Sequence, residues 1–225
     1  MSDVATLLIR LEGPLQSWGY RSRFSNRDTG LEPSKSGVIG LLCCALGRDR
    51  SVDPIDLAQL KMHVRVDRQG RLLTDFHSAG GGIFKGNREY FPPTSSGVKG
   101  KNPVIMQKHY LADASFVVAI EGDPEKISVL SESLCDPVWP LSLGRRSCPP
   151  SSPVFISLVQ EGASIVLPNA PSAARRDPEA RYLWEVDRSG RDTETRNDVP
   201  VSWADRLDRI YSSRYIRAVV EGWQE

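Results

Sequence analysis

The chain has 225 residues, 40% of them apolar and 25% charged, with a formal net charge of +1. A chain of this length buries a sizeable core without disulfides or metals, so its composition argues against disorder. No apolar run nears the roughly eighteen residues of a membrane span, and a balance of +1 gives no reason by itself to invoke nucleic acid.

The opening MSDVATLLIR places an acid before a short apolar stretch and lacks a signal-peptide layout, which argues for the cytoplasm. Residues 4–11 read as a buried first strand that stops at Glu12-Gly13-Pro14. A polar loop then runs to about Pro33. Ser34 suits the cap of a helix whose apolar positions Val38, Leu41, Leu42 and Ala45 recur at helical spacing, with Gly47 as its terminator. Gly37 and Gly40 sit in its first two turns, where glycine weakens a helix, so another backbone or a ligand is expected to approach there.

Residues 62–66 and 71–76 read as a hairpin around the polar turn Asp67-Arg68-Gln69-Gly70. Residues 80–102 are rich in Gly, Ser, Pro and Lys and too long for an ordinary connection, so they read as an excursion with its own role. Residues 114–121 form another strand, Asp123-Pro124-Glu125 opens a second helix with Ile127, Leu130 and Leu134 on one face, and residues 154–159 add a strand.

That order predicts an α+β fold of ferredoxin-like or RRM-like type, two helices covering one face of an antiparallel sheet and the other face open for binding. It spans residues 1–162. Residues 163–225 are expected to form a small C-terminal β-rich appendage, with short strands at 165–167, 181–186 and 215–220.

Gln16, Ser17, Trp18, Gly19 and Tyr20 combine an amide, a hydroxyl and two aromatic rings; the rings either stack on RNA bases or pack beneath the loop. The helix start at Ser34, Lys35, Ser36 and Gly37 suits a phosphate, though a plain cap with an exposed lysine accounts for the same residues, and Walker spacing is missing. Arg145 and Arg146, followed by Ser147 on a Pro-bounded turn, either clamp phosphates or are surface charge. Residues 61–110 carry nine Lys or Arg against three Asp or Glu, either a phosphate track or a solvated basic face. His77 and His109, with Lys108, are the only candidates for metal-independent RNA cleavage, against a structural or binding role. Cys43, Cys44, Cys135 and Cys148 lack metal-site spacing, and neither a cofactor nor a metal signature is readable.

Taken in order, LIRLEGPLQSWG (8–19), PSKSGVIGLLCCALG (33–47), TDFHS (74–78), KHYLADASFVVAI (108–120) and PLSLGRRSCPPSSPVF (140–155) resemble the motif series of the CasD family. These are RAMP-type, RNA-binding subunits of the type I-E CRISPR Cascade complex of antiviral defence. The resemblance implies a non-catalytic, cytoplasmic subunit that caps the 5′ handle of the CRISPR RNA (crRNA), with a thumb inserted over about residues 80–108. Its partners would be the repeated backbone subunit and the large PAM-reading subunit, and target DNA would be met only through the complex. Gln16, Trp18, Ser34, Lys35, Ser36, Gly37, Gly40, His77, Lys85, Arg88, Lys108, Arg145, Arg146 and Ser147 would then lie near RNA. The alternative is an endoribonuclease that processes CRISPR precursor RNA, as a related subunit does in another subtype.

Overall fold

The computed structural model of the chain describes residues 4–19, 25–84, 88–94, 96–98, 100, 102–172, 177, 179–203 and 209–220. β1 (Ala5–Glu12) is followed by the short strands β2 (Leu15–Gln16) and β3 (Asn26–Arg27), then α1 (Lys35–Leu46) and the single turn α2 (Ile55–Ala58). Among the described residues six strands come next with no intervening helix: β4 (Lys61–Arg68), β5 (Arg71–Ala79), β6 (Gly82–Phe84), β7 (Arg88–Tyr90), β8 (Val104–Ala112) and β9 (Ser115–Gly122). Then follow α3 (Pro124–Cys135), β10 (Phe155–Val159), α4 (Ala163–Asn169), β11 (Arg181–Val186), β12 (Thr193–Ser202) and β13 (Ile210–Val220).

The helices begin and end where local chemistry dictates. Ser34 accepts the Gly37 N–H at 3.3 Å, and Gly47, at φ +69°, closes α1 in the left-handed region that glycine tolerates. Asp123 accepts the Glu125 and Lys126 N–H groups at 3.1 Å each, with Pro124 behind it at the first helical position.

Seven strands form one antiparallel sheet in the order β10-β1-β9-β4-β11-β13-β12. β1–α1–β4 and β9–α3–β10 are two crossovers, each returning to a parallel strand with one strand left between. Side chains alternate across the sheet. Leu7, Ile9, Leu11, Val64, Val118 and Ile120 therefore meet α1 and α3 in the larger core.

The opposite face is not open as expected. Ala163, Val166 and Leu167 of α4 pack there on Leu8, Val117 and Ala119. The predicted strand at 165–167 is part of this helix, because its buried positions 163, 166 and 167 follow helical spacing while Ile165 points out. Arg65, with no exposed side-chain surface, fastens the helix by donating to the carbonyls of Leu167, Pro168 and Ala170 at 2.8–3.2 Å; Asp67 balances its charge at 2.6 Å. Two-sided cover is why β1 is apolar on successive residues.

The expected hairpin is also corrected. β4 is hydrogen-bonded on one side to β9 and on the other to β11, which leaves no edge for β5. At Gly70 (φ +74°), where a Cβ would lie 2.7 Å from the Ala112 carbonyl oxygen, the chain leaves the sheet and β5 pairs with β8 instead. β5 and β8 thus continue the β4/β9 pair past a kink as a two-stranded ribbon, with β6 and β7 paired between its far ends. β2 buttresses β8 at its base and β3 at its middle.

Strands 181–186 and 215–220 exist as expected, the second as the end of β13, while β12 had no counterpart in the sequence reading. All three C-terminal strands are hydrogen-bonded into the main sheet. Buried charges lock them there. Asp198 takes both the Nε and Nη2 of Arg214 (2.7 and 2.9 Å), and Glu185 bridges Arg214 (3.0 Å) and Lys35 (2.7 Å).

Candidate nucleic-acid interface

Beside α1 lies a cleft of about 690 Å³. Its floor is the helix face carrying Gly37, Gly40 and Cys44; one wall is the 142–146 loop, and the other comes from Trp203 with Arg209 and Tyr211. Gly144, at φ +85°, draws its loop so close that a Cβ would lie 1.9 Å from the Ser17 carbonyl oxygen; no other residue type fits there. Four arginines (48, 50, 146 and 209) and one aspartate (49) line the cleft; Arg48 is paired with Asp56 at 2.7 Å, and the positive excess that remains favours an anion. Trp139 and Tyr211 present rings that are 40% and 38% exposed. Burial pushes the Cys44 thiol up, against the pull of Arg146 and Arg50.

The residues anticipated from the sequence divide into two groups. Gln16 is fully buried: its amide donates to the carbonyls of Leu11 (3.0 Å) and Ala114 (2.9 Å) and accepts the Trp18 indole N–H at 3.0 Å. Trp18, 1% exposed, fills the space left by the missing Cβ of Gly37, 2.7 Å from its ring. Both side chains build the loop, so the RNA-stacking expectation for them is corrected, and the approach foreseen at Gly37 comes from the protein's own indole.

Ser34 is a buried cap. Lys35 is corrected as well. Its side chain is 3% exposed and paired with Glu185, its backbone N–H donates to Asp198 at 2.7 Å, and burial holds its ammonium below the usual value against the pull of Glu185. A carboxylate from β12 thus stands where a phosphate was expected at the helix start. Ser36 and Gly40 line the cleft.

Arg145 turns inward. It donates to the carbonyls of Arg27 (2.7 Å) and Asp28 (3.1 Å) and lies 4.8 Å over the Tyr110 ring. Arg146 points the other way, exposed and into the cleft, and Ser147 is exposed beside it. The expected two-arginine clamp therefore reduces to one guanidinium at this turn.

His77, Lys108 and His109 lie on the ribbon. Register places Thr74 opposite His109, Asp75 opposite Lys108 and His77 opposite Met106, so His77 and Lys108 share one face while His109 occupies the other. His77 contacts the Asp75 carboxylate, and His109 Nδ1 lies 3.0 Å from the Thr74 hydroxyl. Two imidazoles on opposite faces of a ribbon do not serve as acid and base at one phosphate. Lys85 and Tyr20 lie outside the described residues, and only the backbone of Arg88, in β7, is described.

Sequence reading missed Arg48, Arg50, Trp139, Trp203, Arg209 and Tyr211 as cleft residues. The clustering of Trp203, Arg209 and Tyr211 was the available signal in the tail.

An arginine-lined cleft with accessible rings suits an anionic ligand that carries planar groups. The chain belongs to the CRISPR-associated protein (Cas_Cas5) family, which it matches over residues 6–220. It is 34% identical over 169 residues to the CRISPR system Cascade subunit CasD of Escherichia coli (strain K12), covering 68% of this chain and 71% of that one. A chain of a solved CRISPR RNA-guided surveillance complex superposes with a TM-score of 0.79 at 36% identity, over 96% of this chain and 89% of its own length. A crystal structure of a Cas protein gives 0.72 at 34% identity, over 96% and 94%.

Proposed function

We propose that this chain is the RNA-binding subunit of a type I-E Cascade surveillance complex, cytoplasmic and non-catalytic, which caps the 5′ handle of the crRNA and organises assembly. The observation that carries the proposal is the cleft beside α1, lined by four arginines and one aspartate with accessible aromatic rings, in a chain 34% identical to a Cascade subunit. Such a surface suits a single-stranded backbone with unstacked bases.

In this reading strands β1, β4, β9 and β10 with α1 and α3 are the ferredoxin-like, RRM-like domain within residues 1–162, and the tip of the β5/β8 ribbon with the adjoining half of β8 is the thumb inserted over about 80–108. Residues 163–225 are the C-terminal β-rich region that supplies one cleft wall. The backbone subunit and the large PAM-reading subunit are the protein partners, and target DNA is reached through the guide. The placement of His77 and His109 supports binding over cleavage.

The test is incubation of the purified chain with labelled precursor repeat RNA in EDTA, read for gel shift and for cleavage. Retention of intact RNA is expected. Specific cleavage, lost on His77→Ala or His109→Ala, would favour the endoribonuclease.

A further inference from the structure

The loop that forms one wall of the cleft borders the ribbon on its other side. Arg146 faces the cleft, while Arg145 reaches back to the Arg27 and Asp28 carbonyls at 2.7 and 3.1 Å and lies 4.8 Å over the Tyr110 ring. Arg145 therefore ties β3 and β8 to the cleft loop. β3 runs parallel to β8 with Arg27 directly beside Lys108. Residues paired in this way project to the same face, and Tyr110, two positions along β8 from Lys108, projects there too. Arg27, Lys108 and the Arg145 guanidinium over Tyr110 thus share the ribbon face that adjoins the loop. Arg27 is exposed and Lys108 half-buried. Asp75 stands opposite Lys108 and contacts His77, on the far side of β8 from Arg27, so it offsets the lysine more than the arginine. A single strand that leaves the cleft past Arg146 and crosses this loop meets Arg27 next.

Resting on the RNA-binding reading above, we infer that Arg27, with Lys108 beside it, forms a second phosphate site on the ribbon, outside the cleft. Arg145 is the positioning residue that fastens this site to the loop carrying Arg146. The RNA path then turns from α1 across the 144–147 loop onto the ribbon face. Contacts of this kind hold a backbone in register without reading its bases.

The experiment uses the full chain and handle RNA in which one phosphate at a time is replaced by an uncharged methylphosphonate. Arg27→Gln should keep the parental melting temperature, lower affinity for unmodified handle RNA by about 3- to 10-fold and reduce the slope of log affinity against log salt by roughly 0.7. Lys126→Gln removes the same charge from an exposed position on α3 and should change neither affinity nor slope. One methylphosphonate position is expected to abolish the difference between the parent and Arg27→Gln, and a different position the difference between the parent and Arg146→Ala. A folded Arg27→Gln chain with parental affinity and slope would overturn the ribbon site, as would an equal loss in Lys126→Gln or a single position that silences both arginines, and each would leave the capping reading intact. A parent chain that binds no RNA would overturn the capping reading and the ribbon site with it.

Discussion

Arg145 and Arg146 are adjacent in sequence and opposite in use. One donates to two backbone carbonyls and lies over Tyr110; the other faces the cleft. Arg145→Ala is expected to lower stability by about 2 kcal/mol through lost charged hydrogen bonds and ring contact, read by urea denaturation. Arg146→Ala should leave stability unchanged, weaken RNA binding and reduce the slope of log affinity against log salt by roughly 0.7, one phosphate's worth for a single strand. An equal loss of stability in both variants would contradict the division.

Cys43 gives a test by pH. Burial pushes its thiol from 9.0 up to about 11. A group raised on folding contributes stability that is complete below its unfolded value and is lost as pH climbs through the folded one. The loss should therefore run from about pH 9 to pH 11 and amount to roughly 2–3 kcal/mol. Lys35, lowered by burial, acts with the opposite sign up to its unfolded value of 10.5, so the difference between the parent and Cys43→Ala is the quantity to plot. The side chains that local chemistry governs were legible in sequence: Ser34 and Gly47 bound α1 as anticipated. Which way Arg145 or Lys35 points depends on Arg27 and Glu185, the latter 150 residues away, and no local pattern carries that.

Among the elements, the β5/β8 ribbon joins the larger core only at its base, through Tyr110 and Leu111. Leu72, Phe76 and Ile105 on one of its faces are 52–61% exposed. Ala79 and Val104 are paired, so replacing residues 80–103 with an Asn-Gly turn joins neighbours that already face each other. The shortened chain is expected to melt within a few degrees of the parent while losing its place in the assembled complex. A large drop in melting temperature would show the tip to be part of the fold.

By contrast, Asp198→Ala removes the carboxylate shared by Arg214 and the start of α1. Denaturation should show a cost of about 3 kcal/mol, the lower end for a broken buried pair, because Glu185 still holds Arg214. The two long helices, α1 and α3, and strands β1, β4, β5, β9, β10, β11 and β13 were readable from period and caps. The hairpin was misread because polar turn residues suggest a reversal without stating the partner, and a β4 flanked by β9 and β11 has no free edge. α4 was misread because a short Ile-Val-Leu run fits either period.

At the scale of the molecule, the tail, which carries none of the five quoted motifs, provides three of the seven strands and one wall of the cleft. A net charge of +1 concealed this, since the four cleft arginines come from three separated stretches, with Asp49 beside them and Asp56 paired to Arg48. The family was legible because its motifs are local; the site was only partly so, because topology assembles it.

The most direct test of the account is a binding titration of the full chain, in EDTA and at several salt concentrations, against handle RNA and an RNA of the same length and composition with the handle sequence permuted. Tighter binding of the handle at every salt concentration, with the RNA recovered intact, is the predicted result. Equal affinity for the two RNAs, or recovery of cut handle RNA, would contradict the account.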